Sequence, residues 1–350
     1  TLVPLLCILA VYARLRHEWP SALLCGTGLA YLTYFIWMLN NPFRGNTLTL
    51  VTSPPESIYA LLGYAIILAM GTLLRPDRQR EGFTASSSSF INGGGSYGLF
   101  LLLTLTSFQS MVAPSHSIAS MVLLGLAIAF WVNEKSRYST FAYAMLGYMA
   151  LSVAISKLFA VPGVFVWLSA QSILVVATAI WFRSRFIVVA NFILYLLIVA
   201  GYVIVAREES GISLGFGLVA LASARILNWQ QDRLELKTEI MRNAYLASAF
   251  VVFPYALYHL VPSGFVSLAW VGIALFYYLM NLIIKAQKYR WMGHLTLLLT
   301  VMYVLVIGIV QLEPTYRILS FLVLGTALLV VSLVFTRLRM RKRKDKQDAR

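Results

Sequence analysis

Long apolar runs alternate with short polar connections along this chain, and nowhere do apolar residues alternate with polar ones in the strict fashion of a half-buried strand. The runs cover approximately 1–13, 21–40, 58–75, 92–110, 117–133, 139–156, 161–182, 186–206, 211–228, 243–261, 264–284, 291–312 and 316–336. A helix needs about 20 apolar residues to cross a hydrocarbon layer of about 30 Å while satisfying its own backbone hydrogen bonds. The pattern predicts an all-α, polytopic transmembrane bundle of about 13 spans, the first short, over residues 1–336, with a basic tail at 337–350.

Charge gives the bundle an orientation. One set of alternate connections holds Arg14 and Arg16; Arg75, Arg78 and Arg80; Lys135 and Arg137; Arg183 and Arg185; Arg225, Arg233, Lys237 and Arg242; and Lys285, Lys288 and Arg290. With eight more basic residues from Arg337 to Arg350, this set contains 24 of the 28 Lys and Arg, and the opposite set only Arg44, Lys157, Arg207 and Arg317. Basic residues collect on the cytoplasmic side, so the tail is expected inside and the first residue outside. One span more or fewer would scramble the alternation downstream.

Composition agrees with lipid as the solvent. The 350 residues are 60% hydrophobic and 12% charged, with a mean hydropathy of +0.79, whereas soluble domains carry about a quarter charged residues. The net charge of +15 would suit nucleic acid, but its Lys and Arg sit in short clusters between apolar runs, so no nucleic-acid partner is expected. Cys7 and Cys25 each lie inside an apolar run without a CxxC spacing and read as buried thiols. The opening Thr1-Leu2-Val3-Pro4 has no basic n-region or cleavage site, which fits the membrane part of something longer.

Three connections stand out. Asn41–Ser57 contains Asn41-Pro42 and Pro54-Pro55, which favour turns and extended chain. Gln230–Arg242 sets Leu234, Leu236, Ile240 and Met241 among charges, as an interfacial amphipathic helix does. Ser86–Ser89 and Gly93–Gly95 flank Phe90-Ile91-Asn92, where the fourth helix is expected to be broken or to start late.

Candidate chemistry is sparse. All 13 acidic residues fall in connections, the tail or span ends, which weakens ion-coupled transport because a coupled ion needs a charged ligand inside the membrane. His17, His116, His259 and His294 show no metal-ligand spacing, two of them read as loop residues, and nothing calls for a metal or cofactor. Gly211-Ile212-Ser213-Leu214-Gly215 matches GxSxG, but a nucleophile elbow needs a strand-turn-helix. The same residues, continued by Gly217, Ala220 and Ala224, form a small-residue helix face. Gln171, Asn191 and Asn281 are uncharged polar residues deep in apolar runs, suited to interhelical hydrogen bonds or to a ligand. Arg225 lies near an inner span end and can snorkel; Tyr289-Arg290 and Tyr316-Arg317 open the last two spans as interfacial anchors able to meet a lipid phosphate.

The run Tyr289-Arg290-Trp291-Met292-Gly293, then a span, then Tyr316-Arg317-Ile318-Leu319-Ser320-Phe321-Leu322-Val323-Leu324-Gly325 and a closing span ending in basic residues, resembles the C-terminal signature of a bacterial family of polytopic membrane proteins, domain of unknown function 2339. Trp19-Pro20, the run from Gly28 to Trp37, and Phe90-Ile91-Asn92 also resemble it, and the similarity is best over 285–340. Relatives tend to carry a Lys and an Asp around the outer end of the penultimate span, where this chain has the uncharged Met302–Leu312. Relatives often have additional N-terminal sequence. The resemblance implies a polytopic fold in a bacterial plasma membrane and no particular activity.

The expected function is non-enzymatic binding or movement of a lipid-like or envelope molecule within the bilayer, because apolar walls with scattered amides suit such a ligand. Membrane lipids are the expected partners, with anionic lipid at the basic tail. A structural subunit docking a partner membrane protein is the alternative. A membrane-embedded transferase on lipid-linked substrates is a second, with Glu56, Glu208, Glu209, Glu313 and His116 as its outer-side groups. A cavity lined by Gln171, Asn191 or Asn281 would mark the ligand reading.

Overall fold

The computed structural model describes residues 2–17, 19–39, 57–74, 83–134, 136–183, 185–205, 213–229, 238–284, 286–308 and 313–347. Among them are thirteen α-helices: α1 Leu2–His17, α2 Pro20–Met38, α3 Ser57–Leu73, α4 Phe83–Ser107, α5 Val112–Glu134, α6 Arg137–Leu158, α7 Gly163–Trp181, α8 Arg185–Val205, α9 Ser213–Trp229, α10 Thr238–Leu260, α11 Val266–Ile284, α12 Gln287–Tyr303 and α13 Pro314–Gln347. Short 3₁₀ turns at Gln109–Met111 and Ser263–Phe265 lead into α5 and α11, and a π-helical turn, Val304–Gly308, extends α12.

Each predicted apolar segment falls on one of these helices. Nine helical stretches among the described residues are long and apolar enough to cross a membrane: Pro20–Met38, Gln109–Asn133, Arg137–Leu158, Gly163–Trp181, Ile187–Val205, Glu239–Leu260, Ser263–Ile284, Gln287–Ile307 and Pro314–Val334. The remaining helices fall short in length or apolar content: α1 has 16 residues and α3 and α9 have 17 each, and the first half of α4 is rich in Ser and Gly. The last helix does not stop where its apolar run ends near residue 336 but continues to Gln347.

The chain divides into two compact units, Thr1–Ile198 with Trp229–Thr238, and Val199–Asn228 with Glu239–Arg350. In the first, α1 to α4 pack on one another, α4 packs on α6, and α6 lies against α5 and α7. In the second, α11 packs on α12 and α13, around Val271, Ala274, Tyr278, Leu297, Leu324 and Ala327. A second cluster joins Val266 and Trp270 to Tyr303 and Val304, and the Trp270 indole donates to the Pro254 carbonyl at 3.0 Å.

Burial is arranged for lipid. Leu197 (63% exposed), Ile204 (70%) and Leu329 (67%) face outward, while Asn92, Thr104, His116, Asn191 and Thr296 are buried. Apolar surface gains nothing by leaving hydrocarbon, so these helices associate through close packing and hydrogen bonds between polar groups. Gly147 illustrates the packing: a Cβ there would stand 2.8 Å from Leu124 Cγ and 3.2 Å from its backbone nitrogen.

Several expectations change. No break or late start occurs in the Ser- and Gly-rich stretch, since α4 is continuous from Phe83. The Ser88 and Ser96 hydroxyls donate back to the Thr84 and Asn92 carbonyls, at 2.8 and 2.6 Å. Leu146 and Tyr31 come within 2.7 and 2.8 Å of where a Cβ on Gly93 and Gly95 would stand, so contact with neighbouring helices compensates for their weak helix propensity. His116 is a fully buried helical residue. Cys7 is buried as expected, whereas Cys25 is exposed. The expected interfacial helix at 230–242 lies outside the described residues except from Thr238 onward, where it is the first turn of α10.

Candidate functional site

Three consecutive helices, α6, α7 and α8, are joined by short connections; α6 packs on α7, and hydrogen bonds tie α8 to α7. Polar side chains tie them together at mid-height. The Tyr148 hydroxyl meets Thr178 Oγ1, and Gln171 Nε2 donates to the Tyr148 carbonyl at 2.8 Å. The Ser152 hydroxyl lies 3.1 Å from Gln171 Oε1 and 2.9 Å from the same carbonyl. From α8, Asn191 Nδ2 donates to Ser172 Oγ at 2.7 Å and to its carbonyl at 3.3 Å.

Around these ties is a partly open cavity of about 340 Å³. Its walls are mainly Met145, Met149, Val153, Leu168, Val175, Leu194 and Ile198, and its polar lining comes from Ser152, Gln171, Ser172 and Asn191. A primary amide has two N–H donors, and one of those on Gln171 has no partner among the described residues. The volume is at the lower end of small-ligand sites, about 300–1,000 Å³, and an apolar wall with a few convergent polar groups is their usual make-up. The lining residues sit at the midpoints of their helices. All three helices are long and apolar enough to span a membrane.

The candidates read from the sequence are thus partly brought together. Gln171 and Asn191 share the cavity. Asn281 is a half-buried residue of α11 in the second unit and does not line it. Tyr316 packs its ring on Phe265, 5.2 Å between centroids, and over Gly264, where a Cβ would be 2.9 Å away. This seats the start of α13 on the 3₁₀ turn. Arg317 is half-buried one residue further on, its backbone N–H donating to the Glu313 carbonyl at 3.1 Å. Arg225 is exposed on α9 and lines a different cavity in the second unit, with Arg242 and Lys288.

Among the groups named for a transferase, Glu313 is exposed. His116 is not at an outer surface but enclosed, with Nε2 2.9 Å from Thr104 Oγ1 and Nδ1 3.3 Å from the Tyr97 hydroxyl. Glu56, Glu208 and Glu209 lie outside the described residues. Ser213 of the GxSxG match starts a helix, and the small-residue face beyond it packs: Gly217 meets the Phe253 ring, and Ala220 and Ala224 are buried. Among the described residues, no group of three or more His, Cys, Asp or Glu is placed to hold a metal ion.

Asn92 was hidden in the sequence by its polar neighbourhood. It lies buried between helices, accepting from the Tyr31 hydroxyl at 2.6 Å and donating to the Tyr143 hydroxyl at 2.9 Å and the Ala65 carbonyl at 3.2 Å. The available signal was its place four residues before Ser96 in a stretch long enough to be one helix. In comparisons with protein families, with curated proteins and with solved structures, nothing matches this chain.

Proposed function

We propose that the protein is a multi-pass protein of a bacterial plasma membrane, with thirteen spans and a cytoplasmic C-terminus, that binds or moves a lipid-like or cell-envelope molecule within the bilayer. The cavity among α6, α7 and α8 carries this reading: it is apolar, at mid-membrane depth, and offers a hydrogen-bond donor from Gln171. The topology rests on the 24 to 4 partition of basic residues, and the assignment to domain of unknown function 2339 rests on the quoted C-terminal motifs. The basic tail is the contact for anionic lipid, at about 1 kcal/mol for each Lys or Arg near the surface.

A phospholipid carrying a diazirine near the end of one acyl chain tests the cavity, because that group samples the bilayer centre. In reconstituted vesicles, irradiation is expected to attach it to Tyr148, Gln171 or Met149, in addition to outward-facing residues such as Leu197. Filling the space with Met149→Trp should abolish attachment at Tyr148 and Gln171 and leave Leu197 labelled. Labelling restricted to outward-facing residues in the unaltered protein would refute the proposal.

A further inference from the structure

We propose a second ligand site, for a phosphate group, in a cleft at the ends of α9, α10, α11 and α12. Ala224, Arg225 and Asn228 from α9, Arg242 and Leu246 from α10, Ile284 from α11 and Gln287 to Tyr289 from α12 enclose about 210 Å³. That space is small for a whole drug-sized ligand but ample for one phosphate with its ester substituent.

Three of the lining residues are cations. Arg242 is held in place: Nη1 donates to Asn228 Oδ1, and Nη2 donates to Glu239 Oε1 at 3.1 Å. Its Nε is buried and has no hydrogen-bond partner among the described residues. Lys288 Nζ donates to Glu239 Oε1 at 3.0 Å and to Asn243 Oδ1 at 2.7 Å. Glu239 is therefore shared by two cations, and no carboxylate among the described residues pairs with Arg225, so the cleft keeps a surplus of two positive charges. Arginines with free donors recognise phosphate through parallel N–H bonds, and a fixed Arg242 beside an adjustable Arg225 gives one rigid and one closing arm. Two sources share this chemistry, an anionic phospholipid headgroup and a free phosphate ester. The cleft sits at helix ends, the level of headgroups, and on the proposed topology it faces the cytoplasmic leaflet.

Native mass spectrometry of the full chain in mild detergent, titrated with phosphatidylglycerol or phosphatidylcholine, tests the site. Phosphatidylglycerol is expected to bind more tightly, and Arg225→Gln and Lys288→Gln each to weaken it about fivefold, while Arg225→Lys keeps most of the affinity. The tail is the same in every variant and cancels from the comparison, and matched thermal unfolding shows that the variants fold. Inorganic phosphate distinguishes the sources: displacement of phosphatidylglycerol by millimolar phosphate supports the shared site, and protection against heat by phosphate alone, without a lipid preference, assigns the site to a soluble ester. Equal affinity for both lipids with no phosphate effect, or unchanged phosphatidylglycerol binding in both Gln variants, overturns it. Met149→Trp leaves this readout untouched, so failure here is distinct from failure of the mid-membrane cavity.

Discussion

Asn92 behaves as a clamp because one amide meets two tyrosine hydroxyls from different helices, Tyr31 on α2 and Tyr143 on α6. Phe130 stacks on Tyr143 at 5.2 Å with planes 9° apart, which fixes that ring. Asn92→Ala would strand the Tyr143 hydroxyl and leave the Tyr31 hydroxyl with Ser96 alone, and a stranded buried group costs about 1–3 kcal/mol. Tyr143→Phe removes a single bond of the kind that averages about 0.6 kcal/mol inside membranes. Thermal unfolding in detergent should rank Asn92→Ala well below Tyr143→Phe; equal losses would show that the network is not cooperative. Such residues are hard to see in a sequence. Gln171 and Asn191 stand out because apolar neighbours surround them, while Asn92 and His116 lie beside serines, glycines and a proline and look like parts of loops. Their hydrogen-bond partners come from 12 to 61 positions away.

At the scale of the element, α4 shows how local composition misleads. Its serines and glycines weaken a helix in water, yet here they are the residues that let it sit close to its neighbours. Two adjacent glycines separate the contributions. A Cβ at Gly94 meets nothing within 4 Å, whereas one at Gly95 falls 2.9 Å from Tyr31 Cγ. Gly94→Ala should therefore stabilise the protein by about 0.5–1 kcal/mol through helix propensity, and Gly95→Ala should destabilise it by about 1–3 kcal/mol through overpacking. If Gly94→Ala were destabilising instead, a continuous α4 would be the wrong description. Most other helices were legible because a run of apolar residues of the right length leaves little choice in hydrocarbon. The cleft at the ends of α9 to α12 was not: Arg225 drew notice alone, but Arg242 and Lys288 join it from separate helices, and spacing along the chain carries no trace of that meeting.

For the whole molecule, the charge partition makes a prediction that packing alone does not. Cys7 is buried and Cys25 lies on a stretch able to span the membrane, so neither should react with a membrane-impermeant maleimide. Lys157→Cys should label in intact cells, and Lys288→Cys only after the membrane is opened. Labelling of both from one side would change the number of crossings between them, and the opposite pattern would reverse the proposed path of the chain.

The position of the α6–α8 cavity has a consequence for what can occupy it. A phosphate or ammonium carried there would travel about 15 Å from either surface and lose its hydration, a penalty of several kcal/mol that one amide donor does not offset. A hydroxyl, ester or ketone loses far less and can accept the Gln171 N–H. On the proposed reading, depth would act as a charge filter: molecules whose only polar group is an ionised terminus would be turned away, while neutral ones with oxygen partway along a greasy chain would be admitted.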